Sequence, residues 1–387
     1  MSDDVPISIE GVCDEKFARV REAFAANFTT HGEVGAAVTI YVDGRKVVDL
    51  WGGHADSART RKWTPDTLVN FFSIGKAITA TCVLLLVQRG VFDLDAPVTR
   101  WWPAFGAAGK YAITLRQLMA HRAGMAAVRD QLPGAAVFNW AQVTEALAAQ
   151  APWWTPGARH GYHVNTFGYL LGEPVRRATG MTLGTLLRQE IAGPHEADVY
   201  IGLPESEHGR VAEITPVSPA PGRPPAAAPA SPTDDEERMR VRMRQLAYNN
   251  PPGISGGPVN TPAWRLAEIP STNGHGTARG VARFYLSLLN GAILAPAIIA
   301  EATREHAYGE DYVLGRPSRF GLGYQLTHKE RPLGPNARAF GHFGAGGSLG
   351  FCDPDAKVAF GYVMNTMAGS NWQSPCARAL LDAVYSN

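Results

Sequence analysis

The sequence predicts a multi-domain α+β protein, in which an antiparallel sheet is flanked by helices and an all-helical domain is inserted between the two halves of the sheet domain. Strand-like segments lie near both ends of the chain, and the region between them has helical periodicity. The length of 387 residues is enough for more than one structural unit. We therefore predict a discontinuous α/β domain of residues 1–75 and 250–387 and a mainly helical insertion of residues 76–249.

The N-terminal elements follow from local sequence patterns. Apolar residues recur every three or four positions over residues 14–30, which predicts a helix. Two segments rich in β-branched residues, 36–42 and 46–51, flank the dipeptide Asp43-Gly44. Because Asp-Gly is a strong signal for a tight turn, we predict a β-hairpin here.

The middle of the chain is predicted to be helical, and the C-terminal part returns to strands. Residues 216–232 are crowded with Pro and Ala, which is typical of a solvated loop. The predicted central helices are residues 114–121, 141–150, 166–191 and a charged surface helix at 234–244. The predicted later elements are an amphipathic helix at 278–289, strands at 339–344, 350–353 and 358–364, and a closing helix at 374–387.

Composition argues against several classes of function. The formal net charge is +1, and no segment approaches 18 continuous apolar residues, so we expect neither a nucleic acid nor a membrane as partner. Residues 1–4 are polar, without the basic and apolar regions of a signal peptide. The four cysteines form no Cys-x-x-Cys pair, and the eleven histidines lack zinc-binding spacing. We predict a cytoplasmic, reduced protein that needs no metal and no cofactor.

Ser73 and Lys76 stand at the start of an apolar run that Gly90 ends, which predicts a buried helix with Ser73 at its N-terminus. Residues three apart on a helix share a face, so the hydroxyl and the amine can meet in one pocket. Burial favours a neutral amine, which can accept the serine proton, and the helix N-terminus favours an oxyanion at Ser73. The alternative is a helix-capping serine and a lysine whose stem covers apolar surface.

Tyr162 follows a turn at residues 153–157 and precedes a predicted helix. An adjacent ammonium would lower the pKa of this phenol from its ordinary value of about 10. As a phenolate, Tyr162 could relay a proton from Ser73 to a leaving group. The alternative is a half-buried tyrosine that packs against the turn.

A third candidate feature is the glycine-rich segment 341–348. So many glycines near a strand indicate close approach of a ligand or of another backbone segment. The segment could place the Ala345 N–H beside that of Ser73 as an oxyanion hole. A flexible glycine-rich hairpin is the alternative.

These three motifs, in this order and spacing, resemble those of the serine β-lactamase-like superfamily, and most closely the class C-like carboxylesterases often called family VIII esterases. The similarity covers nearly the whole chain and includes the flanking segments 113–121, 201–204 and 361–365. The resemblance implies a β-lactamase/transpeptidase-like fold. It also implies that Ser73 is the acylated nucleophile, Lys76 its proton partner and Tyr162 the general base.

Two departures from the β-lactamase pattern bear on the substrate. The Lys-Thr-Gly motif of β-lactamases falls on His342-Phe343-Gly344, where His342 replaces a permanent cation that would hold a β-lactam carboxylate. The Tyr-x-Asn motif has valine at its third position and its Asn one residue later, so contact with a β-lactam side-chain amide is in doubt. Both changes favour esters over penicillins. The residues expected to contact substrate are His342, Phe343, Gly344, Asn165, His275 and Trp154.

The segment 253–257 matches Gly-x-Ser-x-Gly, the nucleophile signature of another hydrolase fold. That motif needs a strand before it and a helix after it, but prolines flank it on both sides, so Ser255 is predicted to be a turn residue. Two other histidines receive structural interpretations: His121 is predicted to end a helix, and His163 is predicted to face solvent.

The sequence thus predicts a serine hydrolase that cleaves small-molecule carboxylic esters through a Ser73 acyl-enzyme. The same site could serve an acyltransferase, a β-lactamase, or a D-amino-acid peptidase or amidase. A hypothesis of a different class is a penicillin-binding sensor that is acylated without turnover. The sequence leaves the natural ester and the oligomeric state open.

Overall fold

The structure is a computed structural model that describes residues 7–215, 234–367 and 373–386. Its strands are β1 (Ile9–Cys13), β2 (Gly35–Val42), β3 (Arg45–Gly53), β4 (Val69–Asn70), β5 (Val199–Tyr200), β6 (His275–Gly276), β7 (Ala307–Asp311), β8 (Arg316–Phe320), β9 (Gln325–Leu326), β10 (Phe340–Phe343), β11 (Leu349–Asp353) and β12 (Val358–Met364). Its α-helices are α1 (Ala18–Thr30), α2 (Ile74–Gln88), α3 (Leu115–Met119), α4 (Trp140–Ala149), α5 (Thr166–Thr179), α6 (Leu183–Leu187), α7 (Asp235–Asn249), α8 (Pro262–Leu266), α9 (Ala278–Leu289), α10 (Pro296–Thr303) and α11 (Pro375–Val384).

Nine of the described strands form one antiparallel sheet in the order β1-β3-β2-β12-β11-β10-β9-β8-β7. Strand β12 pairs with β2 on one side and with β11 on the other, so it joins the N-terminal hairpin to the C-terminal strands. The hairpin turn predicted at Asp43-Gly44 is confirmed, and both of its residues take a positive φ. Strands β4, β6 and β5 form a separate small sheet.

Helices cover both faces of the large sheet. Helices α1 and α11 pack on one face, against alternate β12 residues such as Phe360 and Tyr362. Helix α9 packs on the other face, and a Cβ atom at Gly361 would lie only 2.4 Å from the backbone oxygen of Ala278. Because the two sides of each strand meet different helices, the central strand is apolar along its whole length.

Helix α2 is buried on all sides, from Ile74 to Leu86. It packs against α5 and α6 and also against strand β10. A helix that is apolar around its whole circumference belongs in the interior, and the long apolar run predicted this placement. The packing brings the N-terminus of α2 beside β10, so two of the motifs singled out in the sequence come together.

The structure confirms most of the predicted elements, including α9 with its predicted bounds. The helix predicted at 166–191 is divided, because Gly180 takes a left-handed conformation with φ of 72° and ends α5. The β7–β8 hairpin was not predicted, since Pro317 and several charged residues obscure its strand pattern. The predicted loop at 216–232 lies outside the described residues, and the division into two domains stays a prediction.

Candidate active site

Ser73 lies at the N-terminal end of α2, directly after a residue in an unusual conformation. Phe72 has a φ of +52°, in the left-handed region that non-glycine residues rarely adopt. The preceding segment is anchored on β6, because Asn70 pairs with His275 and the Phe71 N–H donates to the backbone oxygen of Gly274 at 2.9 Å. The chain therefore turns sharply at a fixed point and presents the partly exposed Ser73 at the start of the helix.

Lys76 lies one helical turn further on and is completely buried. Its Nζ is 3.0 Å from Ser73 Oγ and 3.0 Å from the backbone oxygen of Ser271. In the described part of the chain no carboxylate forms an ion pair with Lys76. Burial lowers the pKa of this amine well below its usual range. This shift favours the neutral amine, whose lone pair can accept the serine proton at this distance.

Tyr162 is hydrogen-bonded to Ser73 through its side chain. Its ring is stacked on that of Phe320, with 5.7 Å between the centroids, and Lys76 Nζ lies 4.8 Å from its centroid. Burial raises the pKa of this phenol above its ordinary value, and the hydrogen bond between Tyr162 and Ser73 only partly offsets the effect. The expected lowering of the Tyr162 pKa is therefore wrong, because desolvation of the buried phenol outweighs the other effects.

The glycine-rich segment packs against the backbone that leads into Ser73. A Cβ atom at Gly344 would lie 2.2 Å from the backbone oxygen of Phe71, and Ser348 Oγ donates to the same oxygen at 2.9 Å. The close approach expected from these glycines is thus made by another backbone segment. Neither the Ser73 N–H nor the Ala345 N–H has an acceptor within the described residues. Both donors are therefore available to an oxyanion.

A cavity of about 230 Å³ opens above Ser73. Its described lining contains no Asp, Glu, Lys, Arg or His side chain, and it combines aromatic and aliphatic groups with several hydroxyls and amides. The lining residues are Phe72, Ser73, Tyr162, Val164, Asn165, Tyr248, Ser255, Thr272, Gln325, Phe343, Gly344, Ala345, Gly346 and Met367. The cavity is therefore suited to an uncharged ligand with a few polar groups.

Three of the six predicted substrate-contact residues, Asn165, Phe343 and Gly344, line this cavity, and the other three do not. His342 is completely buried, and its Nδ1 lies 2.7 Å from the backbone oxygen of Phe343. His275 is buried in β6. Trp154 donates from its indole N–H to the backbone oxygen of Arg159, behind the lining. Direct substrate contact by these three residues has no support in the geometry.

Sequence reasoning did not place Tyr248, Thr272, Gln325 or Met367 at the site. They come from four separate segments, and only the tertiary packing brings them to one cavity. Ser255 lies in a turn as predicted, but it also lines the cavity, where its Oγ donates to the backbone oxygen of Tyr248 at 2.6 Å. The Gly-x-Ser-x-Gly match had drawn attention to Ser255, but it did not indicate that Ser255 lines this cavity.

The prediction that His163 faces solvent is wrong. Its side chain is completely buried, and its Nε2 accepts a hydrogen bond from the Met125 N–H at 3.0 Å. Burial lowers its pKa to about 4, so the ring is neutral. His121 lies two residues after the end of α3, and its Nδ1 accepts from the His163 N–H at 3.1 Å. Both histidines therefore hold the backbone around Tyr162.

Two further properties concern metals and membranes. Among the described residues no group of three or more His, Cys, Asp and Glu side chains is arranged to hold a metal ion. The helices of the described segments are too short or too polar to cross a lipid bilayer.

Comparison with known proteins connects this fold and site to a family. The sequence model of the Beta-lactamase family matches residues 20–384. The crystal structure of a family VIII carboxylesterase is 41% identical, covers 98% of this chain and 99% of that chain, and superimposes with a TM-score of 0.88. A penicillin-binding protein homolog from Caulobacter crescentus is 38% identical, with the same coverage and the same TM-score. Esterase/beta-lactamase LipL from Mycobacterium tuberculosis is 35% identical over 92% of this chain and 83% of that protein.

The antiparallel sheet with its flanking helices is a β-lactamase/transpeptidase-like fold, and the relatives make the chain an esterase-like hydrolase of the serine β-lactamase fold. The chain belongs to the β-lactamase family.

Proposed function

We propose that this protein hydrolyses carboxylic esters of small molecules through an acyl-enzyme formed on Ser73. The observation that supports this best is the 3.0 Å separation between Ser73 Oγ and the Nζ of a lysine whose pKa burial lowers well below its usual range. A neutral amine at this position can act as a general base at ordinary pH. No cofactor, nucleic acid or membrane is part of the proposal.

In the first half-reaction, Ser73 Oγ attacks the ester carbonyl carbon while Lys76 Nζ takes the hydroxyl proton. The Ser73 and Ala345 N–H groups donate to the carbonyl oxygen as it becomes an oxyanion. The bond to the alcohol then breaks. The neutral Tyr162 hydroxyl gives its proton to the departing alkoxide, and the Lys76 ammonium returns a proton to Tyr162. The products are a free alcohol, an acylated Ser73 and a neutral lysine.

In the second half-reaction, water attacks the acyl carbon. Its proton passes to Lys76 through Tyr162 and then to Ser73 Oγ as the acyl–serine bond breaks. The carboxylic acid leaves, and Ser73, Lys76 and Tyr162 return to their starting protonation states. Lys76 is thus a temporary proton store, and Tyr162 connects it to the leaving group and to the incoming water.

The uncharged lining supports esters over β-lactams and peptides. A β-lactam or a peptide terminus carries a carboxylate, and burying it without a cation is costly. Burial lowers the pKa of His342 to about 3, so the residue in the position of the β-lactamase lysine is neutral. A neutral ester loses no counter-ion contact in such a cavity.

The side-chain amide of Asn165 is already engaged by the protein. Its Nδ2 donates to the backbone oxygen of Ala247 at 2.8 Å and to Ser255 Oγ at 2.9 Å, and its Oδ1 accepts from Thr272 Oγ1 at 2.7 Å. Both N–H groups are therefore used, and recognition of a substrate amide would require breaking these bonds. This arrangement also supports esters over amides.

Labelling and kinetics test the proposal. A fluorophosphonate should modify the wild-type protein on Ser73, identified by peptide mass mapping, and Ser73→Ala should lose p-nitrophenyl butyrate hydrolysis. Ser287→Ala, which removes a buried serine on α9, is the matched control and should keep wild-type activity. Labelling on Ser255, or an active Ser73→Ala variant, would overturn the mechanism.

The same assays separate the alternatives. Rapid nitrocefin turnover would indicate a β-lactamase, and turnover of a D-amino-acid amide would indicate an amidase. A product ester formed with added alcohol would indicate an acyltransferase. One equivalent of p-nitrophenol released without further turnover would indicate a penicillin-binding sensor.

A further inference from the structure

Asp311 ends strand β7 and is completely buried. Its Oδ1 accepts from the backbone N–H groups of Val313 at 3.0 Å and Leu314 at 2.9 Å, which caps the turn into β8. Its Oδ2 accepts from Ser318 Oγ at 2.8 Å. These three bonds complete a β7–β8 hairpin and explain why an acidic side chain is tolerated in the interior.

The same carboxylate also holds the backbone of Tyr162. The Tyr162 N–H lies 3.0 Å from Asp311 Oδ1 and 3.1 Å from Oδ2, so it donates to both oxygens. The neighbouring N–H groups of Gly161 and His163 donate instead to His121. Tyr162 is therefore the one residue of this triplet whose amide is held by a carboxyl group from a distant part of the chain.

The β7–β8 hairpin holds the Tyr162 side chain as well as its backbone. Phe320, the last residue of β8, stacks on the Tyr162 ring with an interplanar angle of 5°. The hairpin thus sets both the Cα position and the ring plane of Tyr162. These two restraints determine where its hydroxyl lies relative to Ser73 Oγ.

We propose that Asp311 is a positioning residue for Tyr162, and that it places the phenol where it can pass a proton between Lys76 and the leaving group. This inference rests on the proposed function, in which Tyr162 protonates the departing alkoxide. A misplacement of about 1 Å in a catalytic group can cost about 100-fold in rate. The two hydrogen bonds that the buried Asp311 carboxyl group accepts from the Tyr162 N–H oppose such a displacement.

The variant Asp311→Asn tests the inference with little change in volume. Whichever way the amide is oriented, its NH₂ group replaces an oxygen that accepts from the Tyr162 N–H. Only one acceptor is then left for this N–H, and the NH₂ group beside it is a donor, so the hold on the Tyr162 backbone is weakened. The variant keeps the side-chain shape, so its effect comes from the lost acceptor.

The diagnostic measurement compares two esters with the same acyl group, ethyl butyrate and p-nitrophenyl butyrate. Ethoxide needs a proton to leave, whereas p-nitrophenolate leaves without one. Asp311→Asn should therefore lower kcat/KM for ethyl butyrate by about 10- to 100-fold and for p-nitrophenyl butyrate by less than about 3-fold. Tyr162→Phe should likewise lose more kcat/KM for ethyl butyrate than for p-nitrophenyl butyrate. For each ester, kcat/KM of the double variant should be no lower than that of Tyr162→Phe.

Asp353→Asn is the matched control. Asp353 is a completely buried aspartate at the end of β11 and also caps the following turn, because its Oδ1 accepts from the backbone N–H groups of Asp355 and Ala356. It makes no contact with Tyr162. Its loss should lower thermal stability without changing the ratio of kcat/KM values for the two esters.

Equal losses on both esters, or a further loss in the double variant, would overturn the inference and assign Asp311 a purely structural role. If circular dichroism shows that Asp311→Asn is unfolded, Asp311→Glu replaces it, since the longer side chain keeps the charge and shifts the acceptor. If the loss of kcat/KM in Tyr162→Phe does not depend on the leaving group, the proposed mechanism fails. If Tyr162→Phe shows the dependence and Asp311→Asn does not, only the role of Asp311 fails.

Discussion

A buried carboxyl remote from the active-site cavity gives a prediction about stability. Glu33 is 4% exposed, and its Oε1 accepts a hydrogen bond from the Tyr362 hydroxyl at 2.6 Å. The Cys376 thiol and Asn27 of α1 lie in the same region, and no lysine or arginine is paired with Glu33 in the described structure. Burial raises its pKa from 4.5 to about 7. The acid is therefore neutral in the folded protein over a pH range in which the unfolded chain is ionised.

The sign and size of the effect follow from linkage. Because the folded state binds this proton more tightly, the stabilisation is complete below pH 4.5 and is lost as the pH rises to about 7. The difference between the two pKa values corresponds to about 3 kcal/mol of unfolding free energy. Glu33→Gln cannot ionise, so it should not show this loss.

Urea unfolding followed by tryptophan fluorescence, at several pH values from 5 to 8, measures the effect. The variant should match the wild type within about 1 kcal/mol at pH 5 and exceed it by about 2–3 kcal/mol at pH 8. A difference between the two proteins that stays constant across this range would refute the reasoning, because Glu33 would then not change its protonation with folding.

Three further predictions concern the site and its support. Lys76→Met should lower kcat for p-nitrophenyl butyrate by about 10²- to 10⁴-fold with an unchanged circular dichroism spectrum, since it removes the proposed base. Lys110→Met should lower the unfolding free energy by about 2–4 kcal/mol in urea unfolding, because the buried Lys110 Nζ donates to the backbone oxygen of Ala107 and to those of Ala148 and Gln150 at the end of α4. Gly344→Ala should lower kcat about 100-fold, since its Cβ would meet the backbone oxygen of Phe71 at 2.2 Å and displace the Ala345 N–H. Gly134→Ala is the control in the same kinetic assay and should keep full activity, because a Cβ there meets no atom within 4 Å.

Local patterns were sufficient to predict the helix that follows Ser73 and the contact between Ser73 and Lys76 at its first turn. The apolar run after Ser73 predicted the helix, and the spacing of three predicted the meeting of hydroxyl and amine. The lowered pKa expected for Lys76 also agrees with the structure, because a helix that is apolar on all sides implies burial of its first turn. These conclusions depend on residues that are close in the sequence.

The pKa direction of Tyr162 and the lining of the cavity required the packed molecule. Desolvation of the phenol depends on Phe320, which is far from Tyr162 in sequence. The prediction that Ser255 lies in a turn is confirmed, but its position beside Asn165 could not be predicted from the turn. Local patterns give the conformation of a segment, and they do not specify which other segments cover it.

The sequence by itself determined the α+β class, the N-terminal hairpin, helices α2 and α9 and the three C-terminal strands, because each depends on the periodicity or turn chemistry of a short segment. Only the tertiary structure decided that Asp311 holds Tyr162, that His342 lies behind the cavity, and that Glu33 is a buried acid. The physical reason is that burial, desolvation and hydrogen-bond partners are set by contacts between segments far apart in the chain, and these contacts exist only after the sheet and the helices have packed.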